Sequence, residues 1–201
     1  MNNTLREQLV SEKLADLHRQ AIAQLEQEQV YRLSVAERFM AVSAEQGQYL
    51  NFMVGLTKAQ HIVEFGCSFG ISGIYLASAA KDNGGSVITT ELEASKGEIA
   101  WKNFADVNLD GFIEVRIGDA LQTLSNVERV DFLFLDGAKE LYFPVYKLLY
   151  PKLSTDAVVI ADNIDKKATH DLVDHLRSAD EFRTISLFDG RMLVAYRRGL
   201  K

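Results

Sequence analysis

HIVEFGCSFGISG, residues 61–73, is the stretch on which the fold turns. A short run rich in β-branched and aromatic residues leads into Gly66, Gly70 and Gly73, and a helical-looking segment follows. A strand running into a glycine turn and then a helix is the first half of a βα unit. Missing side chains at such a turn let backbone approach a ligand. The glycine spacing is G-x-x-x-G-x-x-G rather than G-x-G-x-x-G, so the tight turn that cradles a pyrophosphate is not written here. That favours a nucleoside ligand without a pyrophosphate and disfavours a nicotinamide oxidoreductase. A ligand-free glycine turn is the plain alternative.

Downstream, the same texture repeats. SVITTE (86–91), FIEVRI (112–117), VDFLFLD (130–136) and AVVIAD (157–162) are short apolar runs, each followed by turn residues and a helical stretch. The last two have lost the apolar/polar alternation of a half-exposed strand, as strands buried on both faces do, so a mostly parallel sheet covered by helices is expected. FRTISLF and RMLVAYR are separated only by Asp189 and Gly190, a hairpin signal that makes the last strand antiparallel. The expected fold is α/β and doubly wound. Upstream, Leu5, Leu9, Leu14, Leu17, Ala21 and Leu25 recur at helical spacing, which reads as a helical N-terminal cap over 1–57 on an α/β core over 58–201, together one domain. The apolar stripe could also pack on a second copy in a homodimer. Trp101, with Ile99 and Phe104, reads as helix core.

Composition narrows the partners. The 201 residues are 47% hydrophobic and 25% charged, which is globular, and the net charge of −6 has the wrong sign for neutralising phosphates, so nucleic acid is not an expected partner. No run is long and apolar enough to span a membrane. Cys67 is the single cysteine, so no internal disulfide can form, and the N-terminal residues lack the apolar core of a signal peptide; a cytoplasmic protein is expected.

Ligands of doubly wound sheets sit at the carboxyl ends of the strands. There the second strand presents Glu91, 21 residues beyond Gly70, as an acceptor for ribose hydroxyls. After the third, Asp119 could accept from an adenine amino group or cap the next helix. The fourth and fifth end in Asp136 and in Asp162-Asn163, which adjacency would bring together. Three oxygen donors without His or Cys suit Mg²⁺ or another hard divalent cation rather than zinc. In the plainer reading, these groups serve turns and helix starts. His170 and His175 are five apart, not on one helix face, and read as surface; His18 and His61 read as structural.

The run from Met40 to Asn163 resembles the S-adenosylmethionine-dependent O-methyltransferases of the catechol and caffeoyl-CoA type, whose class I sheet also closes with a reversed strand. Val63-Glu64-Phe65-Gly66 and Ser68-Phe69-Gly70-Ile71-Ser72 look like the first motif, Thr90-Glu91-Leu92-Glu93 like the ribose motif, Gly118-Asp119-Ala120 like the adenine-side motif, and Ala44-Glu45-Gln46-Gly47-Gln48 like the Gly-Gln turn upstream. The resemblance implies that Glu64 holds the methionine amino group, that Ser72 reaches its carboxylate, and that backbone near Val42 helps at the same end. The implied cofactor-binding positions are Val42, Glu64, Gly66, Cys67, Gly70, Ser72, Glu91, Asp119, Ala120 and Asp136. The implied metal ligands are Asp136, Asp162 and Asn163, with Lys139 as general base. A divalent cation stabilises a hydroxyl's oxyanion and depresses a neighbouring lysine's pKa, which makes that pairing intelligible. The sequence departs from the catechol enzymes at Gly137 and Ala138, where bulkier residues pack on adenosine, and after Asn163, where the loop that walls the catechol site is absent. The expected acceptor is a hydroxyl of a small phenolic or catechol-like molecule, with room for one larger than catechol itself, such as a phenolic or polyketide-like metabolite reached through an open mouth. A metal-independent methyltransferase and a non-catalytic S-adenosylmethionine-binding module are the competing readings.

Overall fold

The computed structural model describes residues 3–28, 33–34 and 37–199. Helices α1 (Gln8–Glu28) and α2 (Ala44–Thr57) precede strand β1 (His61–Phe65). The alternation then runs α3 (Ile71–Asn83), β2 (Ser86–Glu91), α4 (Ala94–Ala105), β3 (Ile113–Ile117), α5 (Ala120–Thr123), β4 (Val130–Leu135), α6 (Tyr142–Leu149), β5 (Leu153–Ala161), α7 (His170–Ser178), β6 (Phe182–Leu187) and β7 (Met192–Arg197). Strand order is β3-β2-β1-β4-β5-β7-β6. β1 to β5 pair in parallel, and β7 enters antiparallel between β5 and β6. This is the expected doubly wound α/β sheet with a reversed last strand. The hairpin turn is the one the Asp189-Gly190 pair signals: both lie at positive φ, 53° and 79°, and the Arg191 N–H donates to the Phe188 carbonyl at 3.0 Å.

The strands lack alternation because both faces are buried. Ile62, Phe132, Phe134, Val158 and Ile160 join the layer containing α1 to α4, whereas Val63, Leu133, Leu135, Val159 and Ala161 join the layer of α5 to α7. Within the N-terminal stripe, Val10, Leu14, Leu17 and Ala21 are buried, and α1 contacts α3 of the same chain. Leu9, Ile22 and Leu25 stay exposed. Positions 1–2, 29–32 and 35–36 of the expected cap lie outside the described residues.

One expectation is corrected. Phe104 is core, but Trp101 and Ile99 are about half exposed. The buried stripe of α4 is Lys96, Gly97, Ala100, Asn103 and Phe104, and at 100° per residue Trp101 and Ile99 fall on its two flanks. Among the described residues, no helix is long and apolar enough to cross a membrane.

Candidate functional site

Strand order reverses between β1 and β4, the position where ligands of such sheets bind. The turns leaving these two strands touch: a Cβ on Gly66, whose φ is +103°, would stand 2.5 Å from the Gly137 nitrogen. Gly137 is in turn pressed against the Phe65 ring. Gly70 and Gly73 answer to packing, because a Cβ at either would meet the Phe104 ring at 2.8 Å.

On the β1 side, Glu64 is fully buried. Its Oε2 accepts from the Thr89 hydroxyl at 2.6 Å, and its Oε1 has no partner among the described residues. Burial raises its pKa to about 7, opposed by the nearby Ser72 hydroxyl, which lies outside hydrogen-bonding geometry, and by the bonded Thr89 hydroxyl. Ser72 and Val42 are both buried, and a small pocket runs between Phe39–Ala41 and the turn residues Cys67, Ser68 and Phe69, with Ser72 also lining it. Cys67 is inert by burial, which pushes its thiol pKa well up. It serves through backbone, its N–H donating to the Thr90 carbonyl at 2.9 Å.

Glu91, at the end of β2, splints this turn. Its Oε2 accepts from the Ser68 N–H at 2.7 Å and its Oε1 from the Glu93 N–H at 3.0 Å. Each oxygen keeps a lone pair for another donor. Asp119 takes the capping alternative: its side chain accepts from the Leu121 N–H at 2.9 Å at the start of α5, with Ala120 buried behind it.

β4 and β5 are adjacent, with Leu135 paired to Ala161, so Asp136 and Asp162 leave the sheet side by side. Burial, the dominant cause, raises Asp136 to about 7; the neighbouring Asp162 adds to this and Lys139 opposes it. Burial likewise raises Asp162. Lys139 Nζ donates to Asp136 Oδ1 at 3.0 Å and to the Tyr142 hydroxyl at 2.9 Å. That hydroxyl donates to the Asp162 carbonyl at 3.1 Å, closing the group. Asn163 turns the chain at φ +53°, and the next residue is tied to the hairpin by the Ile164 N–H donating to the Arg191 carbonyl at 2.8 Å.

Two members of this group escape sequence reasoning. Tyr142 carries no motif; its role depends on α6 starting three residues after Lys139. Gln46 donates through Nε2 to Asp162 Oδ1 at 3.0 Å. The helix-capping signal Ser43-x-x-Gln46 is legible, but its reach to Asp162, 116 positions away, is not. The histidines stand apart: His18 bonds the Tyr75 hydroxyl at 3.1 Å, His61 pairs with Asp131 at 2.9 Å, and His170 and His175 are exposed on α7. Among the described residues, no three His, Cys, Asp or Glu side chains gather as a metal cluster, so any cation here would have to use the Asp136–Asp162 pair with Asn163 or water.

Comparison with known proteins bears on this edge of the sheet. The chain is 32% identical over 127 residues to a catechol O-methyltransferase of Mycobacterium tuberculosis, which covers 62% of this chain and 57% of that protein. It is 29% identical over 139 residues to a catechol O-methyltransferase of Niastella koreensis, covering 65% and 62%. It thus spans about three fifths of the length of these relatives. An O-methyltransferase from Bacillus cereus, solved in complex with SAH, superposes with a TM-score of 0.74 at 24% identity, over 93% of this chain and 91% of that one. The family model of O-methyltransferases matches residues 11–180, taking in every strand from β1 to β5 and all the groups assembled above. The chain therefore belongs to the O-methyltransferase family.

Proposed function

We propose that this protein transfers a methyl group from S-adenosylmethionine to a hydroxyl of a small phenolic or catechol-like acceptor, with a divalent cation and Lys139 as base. One observation carries the reading. A buried carboxylate oxygen without a partner, Glu64 Oε1, lies at the same strand switch point as the paired carboxylates Asp136 and Asp162. An unpartnered buried acceptor is costly, and a ligand ammonium group would relieve it. Glu91 supplies the free lone pairs that two vicinal ribose hydroxyls need, and Asp119 and Ala120 would receive the adenine.

The donor set also fits a hard cation: two adjacent carboxylates whose proton affinity burial raises, and the Asn163 amide. Asp136, Asp162 and Asn163 would hold the ion. Once bound, it would stabilise the oxyanion of the acceptor hydroxyl. Lys139, fixed by Asp136 and Tyr142, would take the hydroxyl proton, and Glu64 and Glu91 would anchor the donor's two ends so that methyl carbon and oxygen meet in line. Gly137 and Ala138 leave adenosine without a bulky cover from this turn, which favours an open acceptor mouth. The lysine ammonium at 3.0 Å from Asp136 favours a second reading, a metal-independent transferase in which Lys139 alone balances the carboxylate.

Turnover on a panel of phenols with S-adenosylmethionine tests this. Methyl transfer that stops in EDTA and returns with Mg²⁺ is the expected result. Transfer indifferent to EDTA supports the second reading, and donor binding without transfer to any acceptor overturns both.

A further inference from the structure

Gln46 occupies the third helical position of α2, where a capping box usually has Glu or Gln. As a cap alone, either residue would serve, because only a side-chain oxygen is needed to accept from the N-cap N–H. Here Oε1 accepts from the Ser43 N–H at 2.9 Å, and the Ser43 hydroxyl accepts from the Gln46 N–H at 3.1 Å. The amide orientation is therefore fixed: its oxygen is committed to Ser43, and its NH₂ must point the other way. That NH₂ meets Asp162 Oδ1 at 3.0 Å in a contact that is buried on both sides. A glutamate would cap α2 equally well but would set a carboxylate against Asp162.

We propose that Gln46 is a positioning residue for the acceptor centre, holding Asp162 by one oxygen so that the other is presented toward the Asp136 side. This deepens the proposed function and rests on it. Three observations carry the step: the amide's forced orientation, the burial of Gln46 (7% exposed) and Asp162 (4% exposed), and the position of Ser43 directly after Val42. The same capping box thus joins the segment expected at the donor's methionine end to the carboxylate at the acceptor end. Partners of a ligating carboxylate tune a site nearly as strongly as the ligand itself.

The test is Mn²⁺ binding, followed by the loss of the free-ion electron paramagnetic resonance signal, with S-adenosylhomocysteine (SAH) affinity from calorimetry as a parallel readout. Gln46→Glu keeps the cap, removes the donor to Asp162 and adds a negative charge. It is expected to bind Mn²⁺ about tenfold more tightly or better, since cation affinity follows ligand charge, with SAH affinity within about twofold of the parent because β1 and β2 are untouched. Gln46→Met removes both functions and is expected to weaken Mn²⁺ binding by about 10- to 100-fold. Ser43→Ala removes the hydroxyl half of the cap but leaves the Gln46–Asp162 bond, and is expected to keep Mn²⁺ affinity within about twofold; a loss equal to that of Gln46→Met would make Gln46 a structural cap only. If the parent protein binds Mn²⁺ and Gln46→Glu matches it, the inference fails while the proposed function stands. If the parent binds SAH but no Mn²⁺, the cation reading fails and the inference with it.

Discussion

Replacing Glu64 by Gln removes one buried charge and leaves the shape of the site almost unchanged. In the unfolded chain this carboxyl loses its proton near pH 4.5, whereas burial holds the folded carboxyl up to about 7. Between those values the unfolded state binds fewer protons than the native one, so stability falls as pH rises through this window and is fully lowered above it. A pKa displacement of one is worth about 1.4 kcal/mol, so ionised Glu64 costs the unliganded fold about 3 kcal/mol at pH 8 relative to pH 4. Asp136, also raised to about 7, adds a contribution of the same sign, and its charge is one of the lesser causes that raise Glu64. The difference between the two proteins therefore reads Glu64 together with its smaller coupling to Asp136. Urea unfolding at pH 4, 6 and 8, read as extrapolated stabilities, should show the parent losing about 3 kcal/mol more than Glu64→Gln across that range. Any constant cost of the new amide cancels in this comparison. Saturating SAH should shrink the gap in the parent, because a ligand ammonium favours the ionised form. Parallel stability curves for the two proteins would refute the account of Glu64 as a strained, ligand-awaiting carboxylate.

Three further outcomes are expected. Glu91→Ala should weaken SAH binding by about 1–3 kcal/mol, the scale of charge-assisted hydrogen bonds; unchanged calorimetric affinity would remove Glu91 from the donor site. Lys139→Met should lower the transfer rate by about 10²- to 10⁴-fold, the range of a positioned base, without weakening SAH, and a variant of normal rate would exclude Lys139 as the base. Asp162→Ala should abolish the response to Mg²⁺ while SAH still binds; loss of the folded state instead would make Asp162 a structural residue.

The sheet was legible because its information is local. Runs such as VDFLFLD lack alternation since Phe132 and Phe134 face one helical layer while Leu133 and Leu135 face the other. The Asp189-Gly190 turn is equally local, needing only two residues that tolerate positive φ. Glu91, Asp136 and Asp162 were legible because the ends of parallel strands line up once the strands pair, whereas Glu64, inside β1, was marked only by the family resemblance. What the sequence withheld depends on distant contacts. Gln46 stands in the sequence only within the Gly-Gln turn segment, with nothing there to point to Asp162, and Tyr142 carries no motif; only the fold brings Gln46 against Asp162 and sets the Tyr142 hydroxyl between Lys139 and the Asp162 carbonyl. Gly70 reads as room for a ligand, and its missing Cβ also makes room for the Phe104 ring, a contact the sequence does not announce. Trp101 shows the converse limit: apolar character alone did not say on which side of a helical stripe's edge it would fall.

Co-crystals grown with SAH and Mn²⁺, with anomalous scattering used to locate the metal, address the central claim most directly. The account predicts the amino group of SAH on Glu64, its ribose on Glu91, and a manganese peak shared by Asp136, Asp162 and Asn163. A nucleoside bound away from Glu64 and Glu91 would contradict the donor site, and manganese bound elsewhere on a protein with an occupied donor site would contradict the cation centre.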